Sequence, residues 1–113
     1  MRRSLITLTL VALFAAVLPA TAATPTTKTV KLESTYFQQG SRVLGTVTLK
    51  RGDSIRFRWM NDVTHNVRGT TRGQRFDSGF KTSGTYTRRF RNAGRFKLVC
   101  DVHGAMVMTA RVK

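Results

Sequence analysis

The last stretch of the sequence reads Cys100-Asp101-Val102-His103-Gly104-Ala105-Met106-Val107-Met108, and Thr64-His65-Asn66-Val67 lies well upstream of it. A thiol, two imidazoles and a thioether form a donor set that suits copper in both oxidation states. Soft thiolate and thioether favour Cu(I), and imidazole tolerates Cu(II). Cys100 is the only cysteine, and His65 and His103 are the only histidines. One metal site would therefore use every strong soft or borderline donor except for a choice among the methionines. Each residue alone has a plainer reading. A lone cysteine is usually a small buried hydrophobe, and a lone histidine or methionine usually fills core or surface. The combination points to metal, because a tight turn between Cys100 and His103 can aim both side chains at one point. No ligand position is left for a substrate and no acid–base pair is nearby, so the expected chemistry is electron transfer without catalysis.

Such a turn needs strands to hold it, and the pattern supplies them. Val30 and Leu32 alternate with polar neighbours, and Val43 to Lys50 reads as a second strand. Lys50-Arg51-Gly52-Asp53 is a turn, after which Ile55, Phe57 and Trp59 share one face while Arg56 and Arg58 share the other. Thr85 to Arg91 and Arg95 to Cys100 are two more strands around the turn Asn92-Ala93-Gly94, and Met108, Ala110 and Val112 alternate to the end. No stretch keeps a helical period. Short alternating strands with regular turn signals predict an all-β antiparallel sandwich or barrel. Arg88 breaks the pattern, since it shares parity with the inward Tyr86 and Phe90; a bulge or an exposed edge would explain it.

The beginning of the chain has a different character. Met1-Arg2-Arg3 is basic, Leu5 to Leu18 is almost wholly apolar, and Ala20-Thr21-Ala22 has the A-x-A form of a cleavage site. This predicts a signal peptide over 1–22 that is removed on export, because the apolar run is shorter than the roughly 20 residues that span a bilayer. The paired arginines also loosely match a twin-arginine export signal. Residues 23–27 read as a disordered polar leader, and 28–113 as one small domain. A domain of that size usually wants a staple, and one cysteine cannot form an internal disulfide, so a metal is the natural substitute. Export puts the domain in the periplasm or the extracellular or cell-wall space, as a monomer with no membrane span. With 20 Lys+Arg against 5 Asp+Glu, the net charge is +15 at pH 7. That field favours anionic partners, an acidic redox protein being the first candidate. Specific nucleic-acid binding is not expected, because the alternation of Arg56 and Arg58 with Phe57 and Trp59 is that of two opposed strand faces.

The sequence resembles the small cupredoxins, the type 1 blue-copper proteins of the plastocyanin, amicyanin and pseudoazurin kind. The resemblance runs from about Lys28 to Lys113. It rests on Gly52-Asp53 before Ile55–Trp59, His65-Asn66-Val67, Gly84-Thr85-Tyr86, Ala93-Gly94-Arg95-Phe96 and the Cys100, His103, Met106 spacing. It implies a Greek-key β-sandwich of about seven or eight strands, with one copper ion at one end held by His65, Cys100, His103 and a methionine. Amicyanin-like spacing makes Met106 the axial ligand, and pseudoazurin-like spacing makes it Met108; with Met108, Ala110 and Val112 alternating as a strand, Met106 is preferred. Asn66 would tie the two ligand loops together. Asp101 replaces the family's usual Ser or Thr after the cysteine; its charge favours Cu(II), against the positive charge around it. By the same analogy His103, amid Val102, Gly104 and Ala105, would be the electron port, and an exported one-electron carrier the function. Two alternatives are a copper scavenger or chaperone of the cell envelope and a metal-free basic sandwich that binds polyanions. A shortage of further Met or His residues argues against the first, and the intact ligand set against the second.

Overall fold

The computed structural model describes residues 9–12 and 24–113. Most of the expected signal peptide therefore lies outside the described residues. Among those described, no helix is long and apolar enough to cross a membrane.

Among the described residues ten strands follow one another: β1 (Thr27–Glu33), β2 (Tyr36–Gln39), β3 (Arg42–Val43), β4 (Thr46–Leu49), β5 (Ser54–Trp59), β6 (Arg68–Gly69), β7 (Phe76–Asp77), β8 (Thr85–Arg89), β9 (Gly94–Val99) and β10 (Val107–Val112). They form two five-stranded sheets, ordered β3-β2-β1-β5-β8 and β4-β10-β9-β6-β7. The inward residues of both sheets make one core. Val30 and Leu32 of β1, Ile55, Phe57 and Trp59 of β5, Phe96 and Leu98 of β9, and Met108, Ala110 and Val112 of β10 are all buried in it. Their outward neighbours Arg56, Arg58, Arg95, Lys97 and Arg111 are exposed. This is the two-residue period of a strand with one wet face.

The sheets are mixed rather than antiparallel. β1 pairs parallel with β5, and β4 parallel with β10. The cause is a change of layer in the stretch read as one strand over 43–50. β3 ends that stretch's run in the first sheet, Leu44 turns into the core, and β4 starts at the edge of the second sheet. The chain then returns as β5 beside β1 and runs in the same direction. Alternation reports which face a residue occupies and carries no information about strand direction.

Two local features fix the ends of β5. Before it, Gly52 (φ +93°) makes the turn, and the Asp53 carboxylate accepts the N–H groups of Lys50 and Thr26, both at 2.9 Å. Those bonds hold the Asp53 pKa below its ordinary value. They also bring the last residues expected as a leader into the domain, because β1 begins at Thr27. After β5, Asn61 and Asp62 adopt φ of +61° and +52°. Asn and Asp tolerate the left-handed region better than other side chains do, so the chain turns tightly there toward His65. Arg88 is explained by position. β8 is an edge strand, and the Arg88 guanidinium lies 5.0 Å from the centre of the Phe76 ring. A half-buried arginine is stable there because the ring face attracts the cation.

Candidate metal centre

Three segments converge at the end of the sandwich where β1, β5 and β9 finish. His65 pairs with Lys81 through two backbone bonds, His65 N–H to Lys81 O at 3.0 Å and Lys81 N–H to His65 O at 2.9 Å. The same His65 carbonyl accepts the Trp59 indole N–H at 2.9 Å inside the core. Two residues on, the Val67 N–H donates to Ser78 Oγ at 2.8 Å. The histidine backbone is thus fixed on both sides before any ligand is bound. Cys100 continues the inward face of Phe96 and Leu98, and is buried. The turn after it is closed by Met106 N–H to His103 O at 3.0 Å and Cys100 N–H to Met106 O at 3.1 Å.

The ligand atoms meet. Cys100 Sγ lies 3.7 Å from His65 Nδ1 and 3.8 Å from His103 Nδ1. All three ligand atoms lie within 4.8 Å of one another. With zinc-like bond lengths of about 2.3 Å to sulfur and about 2.0 Å to nitrogen, an ion in a trigonal plane holds sulfur and nitrogen about 3.7 Å apart. The donors present therefore fit one first-row metal ion. His65 is fully buried, and burial first, then the neighbouring His103, holds its imidazole below the ordinary pKa. A neutral imidazole is the form that binds metal. His103 is half-buried, while Val102, Gly104 and Ala105 around it are exposed.

The two candidate methionines occupy different levels. Met108 pairs with Leu98 in the β9–β10 ladder. Met106 stands one level nearer the end, opposite Cys100, whose N–H its carbonyl accepts. Directly opposite residues of an antiparallel pair share a face with Cβ atoms about 5 Å apart. Both methionines are buried, but Met106 is the one level with the thiol.

Asn66 and Asp101 form a reciprocal bridge between the ligand segments. The Asp101 N–H donates to Asn66 Oδ1 at 2.7 Å, and Asn66 Nδ2 donates to Asp101 Oδ2 at 2.7 Å. Sequence reading missed the third member. Arg68 grips the Asp101 carboxylate through Nε at 3.1 and 2.9 Å and through Nη2 at 2.7 Å. That guanidinium first, and Asn66 second, lower the Asp101 pKa to about 2. Arg68 and Asp101 are far apart in sequence and no spacing rule joins them. The one available signal was Asp101 itself, a carboxylate beside the thiol in a sequence with few acids. Phe80, next to Lys81, was also missed; it is the most exposed large apolar side chain of the domain from residue 24 onward, at 64%.

No family model matches this sequence, and no curated protein does either. Solved structures do. A reduced Cu(I) form of an amicyanin variant superposes with a TM-score of 0.66 at 16% identity, over 77% of this chain and 82% of that one. An oxidised amicyanin variant gives a TM-score of 0.64 at 20% identity over the same shares. A second reduced variant gives 0.64 at 17%, over 75% of this chain and 80% of that one. The fold is the cupredoxin β-sandwich. Its His, Cys and His donors are gathered at one end, with Met106 beside them in the ladder.

Proposed function

We propose that this protein is a one-electron carrier that holds a single copper ion between His65 Nδ1, Cys100 Sγ, His103 Nδ1 and the Met106 thioether. The observation that carries the reading is the buried thiol with two imidazole nitrogens at 3.7 and 3.8 Å, all three close enough to share one ion. Bound there, copper would supply reversible one-electron chemistry between Cu(I) and Cu(II). The protein's residues do the rest. Cys100 and His65 are held in core, so water is excluded and neither side chain has to be ordered on binding. Asn66 and Asp101 lock the two ligand segments together. The Asp101 charge is matched by Arg68, so little uncompensated negative charge reaches the thiol.

His103 is the natural exit for the electron, because it is the ligand nearest solvent and its surroundings are small or apolar. A redox partner would dock there transiently against Val102, Gly104 and Ala105. The expected steering by basic charge takes a different form. Glu33 follows Leu32, the partner of Trp59; Asp62 lies in the turn before His65; Asp77 and Asp101 both face Asn66. These four acids offset the nearby Lys31, Arg58, Arg68 and Lys81, which would leave the rim of the port close to neutral. Docking there would then rest on apolar contact, with attraction of an acidic partner left to the net charge of the whole protein. The basic start, apolar run and Ala20-Thr21-Ala22 support export to the periplasm or the extracellular or cell-wall space.

The test is a visible absorption spectrum after addition of Cu(II), with Cys100→Ser as control. An intense blue thiolate-to-copper band that disappears in the variant is the expected result. Colourless copper binding would point to copper storage or delivery, and no copper binding would end the reading.

A further inference from the structure

One pole of this protein is rich in basic residues and poor in acids. At the end opposite the His–Cys–His cluster lie Lys28, paired with Ile55; Lys50 and Arg51 in the turn; Arg95 beside Arg111; and Lys113, bonded to Leu49. The acid at that end is Asp53, which is buried and engaged by backbone N–H groups. β9 from Gly94 to Cys100 spans about 20 Å, so this pole is well separated from the cluster.

Like charges also meet there without relief. Arg95 stands directly opposite Arg111 across the β9–β10 ladder. Such a pair is destabilising. Among the described residues, Arg68–Asp101 is the one Lys/Arg–carboxylate ion pair. The pole therefore carries repulsion that a bound anion would relieve.

A groove of about 430 Å³ opens on this pole, lined by Gln74, Thr87, Arg88, Arg89, Arg91 and Asn92. Every one of these side chains offers hydrogen-bond donors, and none is a carboxylate. Three of them are held in place. Gln74 Nε2 donates to Arg89 O at 3.0 Å, Asn92 Nδ2 donates to Gly73 O at 3.2 Å, and Arg88 rests on Phe76. Arg89 and Arg91 are exposed at the rim. Guanidinium forks match phosphate oxygens two at a time.

We propose that this pole is a docking surface for a linear inorganic polyphosphate, with Arg89, Arg91 and the groove between them taking its phosphates. A bilayer is the poorer fit: the exposed large apolar side chains of the domain, Phe80 and Val102 among them, lie elsewhere, so nothing at this pole inserts. Nucleic-acid bases are not read, because no exposed aromatic lines the groove for stacking. The binding itself needs no copper. Where the carrier reading also holds, the polymer keeps the protein attached with His103 facing away from it.

The test uses fluorescent inorganic polyphosphate as the probe, titrated into the protein with and without copper at several salt concentrations. Arg89→Gln/Arg91→Gln is compared with Lys31→Gln/Arg58→Gln, which removes the same charge from neighbouring strands nearer the cluster. Thermal unfolding checks that both stay folded. The groove variant should lose at least tenfold in affinity, with the salt slope reduced by about 1.4 for two lost phosphate contacts; the control should lose less than about threefold. Equal losses would overturn the proposal, because net charge alone would then account for binding. So would binding to phosphatidylglycerol vesicles without binding to polyphosphate, or oligothymidylate bound tenfold more tightly than polyphosphate. Loss of the blue band in copper titrations, with polyphosphate binding intact, would refute the carrier reading and leave this one standing.

Discussion

Asn66→Ala should weaken the fold and the site together. Asn66 is fully buried and makes two 2.7 Å bonds with Asp101, one from the Asp101 main-chain N–H and one to its carboxylate. A neutral hydrogen bond contributes about 0.5–1.5 kcal/mol and one to a charged group about 1.5–3 kcal/mol. Losing both predicts a destabilisation of about 2–4 kcal/mol. For a domain of this size that lowers the Tm by about 10–20 °C. Asn66→Asp sharpens the argument. It keeps an oxygen for the Asp101 N–H but turns the donor that faced Asp101 and, at 3.4 Å, Asp77 into a third carboxylate oxygen. At neutral pH it should be no more stable than Asn66→Ala, and it should regain stability as acid protonates the cluster. Urea and thermal unfolding followed by Trp59 fluorescence give the energies, and the copper absorption band reports the ligand loops in the same samples. A loss under about 0.5 kcal/mol, within the range of ordinary surface changes, would refute the bridge. So would an Asn66→Asp protein as stable as the parent.

Met106→Leu and Met108→Leu should separate ligand from core. Each conserves volume and should cost less than about 1.5 kcal/mol, but only Met106→Leu should shift the absorption spectrum and reduction potential of the copper form. Gly69→Ala should destabilise by about 1–3 kcal/mol or more through overpacking, because a Cβ there would sit 2.3 Å from Gln74 O and 2.7 Å from the Phe76 ring. Gly45→Ala, with nothing within 4 Å of its Cβ, is the matched control in the same urea titration. Asp53 has its pKa lowered by the backbone N–H groups of Thr26 and Lys50. Its stabilisation is therefore fully present above the unfolded carboxylate pKa of about 3.9 and is lost as pH falls through the lower folded value. Asp53→Asn should be less stable at pH 7, and its urea midpoint should fall less than the parent's between pH 4 and pH 2.

The parts legible in the sequence share a physical cause. β5, β9 and β10 could be read because burial on one face and water on the other impose a two-residue period. His65, Cys100 and His103 could be read because soft donors are scarce in this chain and chemistry limits what they can do together. What escaped depends on pairing between distant segments. The parallel ladders of β1 with β5 and β4 with β10 come from the layer change at Leu44 and Gly45, which leaves the alternation of Val43 to Lys50 almost unbroken. Trp59 as a donor to the His65 carbonyl, and Arg68 as the counter-charge of Asp101, join residues that no local pattern relates. Charge shows the limit most clearly. Alternation places Arg56, Arg58, Arg95 and Arg111 on outer faces, yet it does not tell one end of a strand from the other. Only the ladder registers gather Glu33, Asp77 and Asp101 around the ligand segments and leave Arg89, Arg91 and their neighbours without carboxylates at the far end. On the two proposals, that segregation would give a near-neutral rim for a transient partner and a basic pole for lasting attachment. A uniformly basic surface would have to compromise between the two.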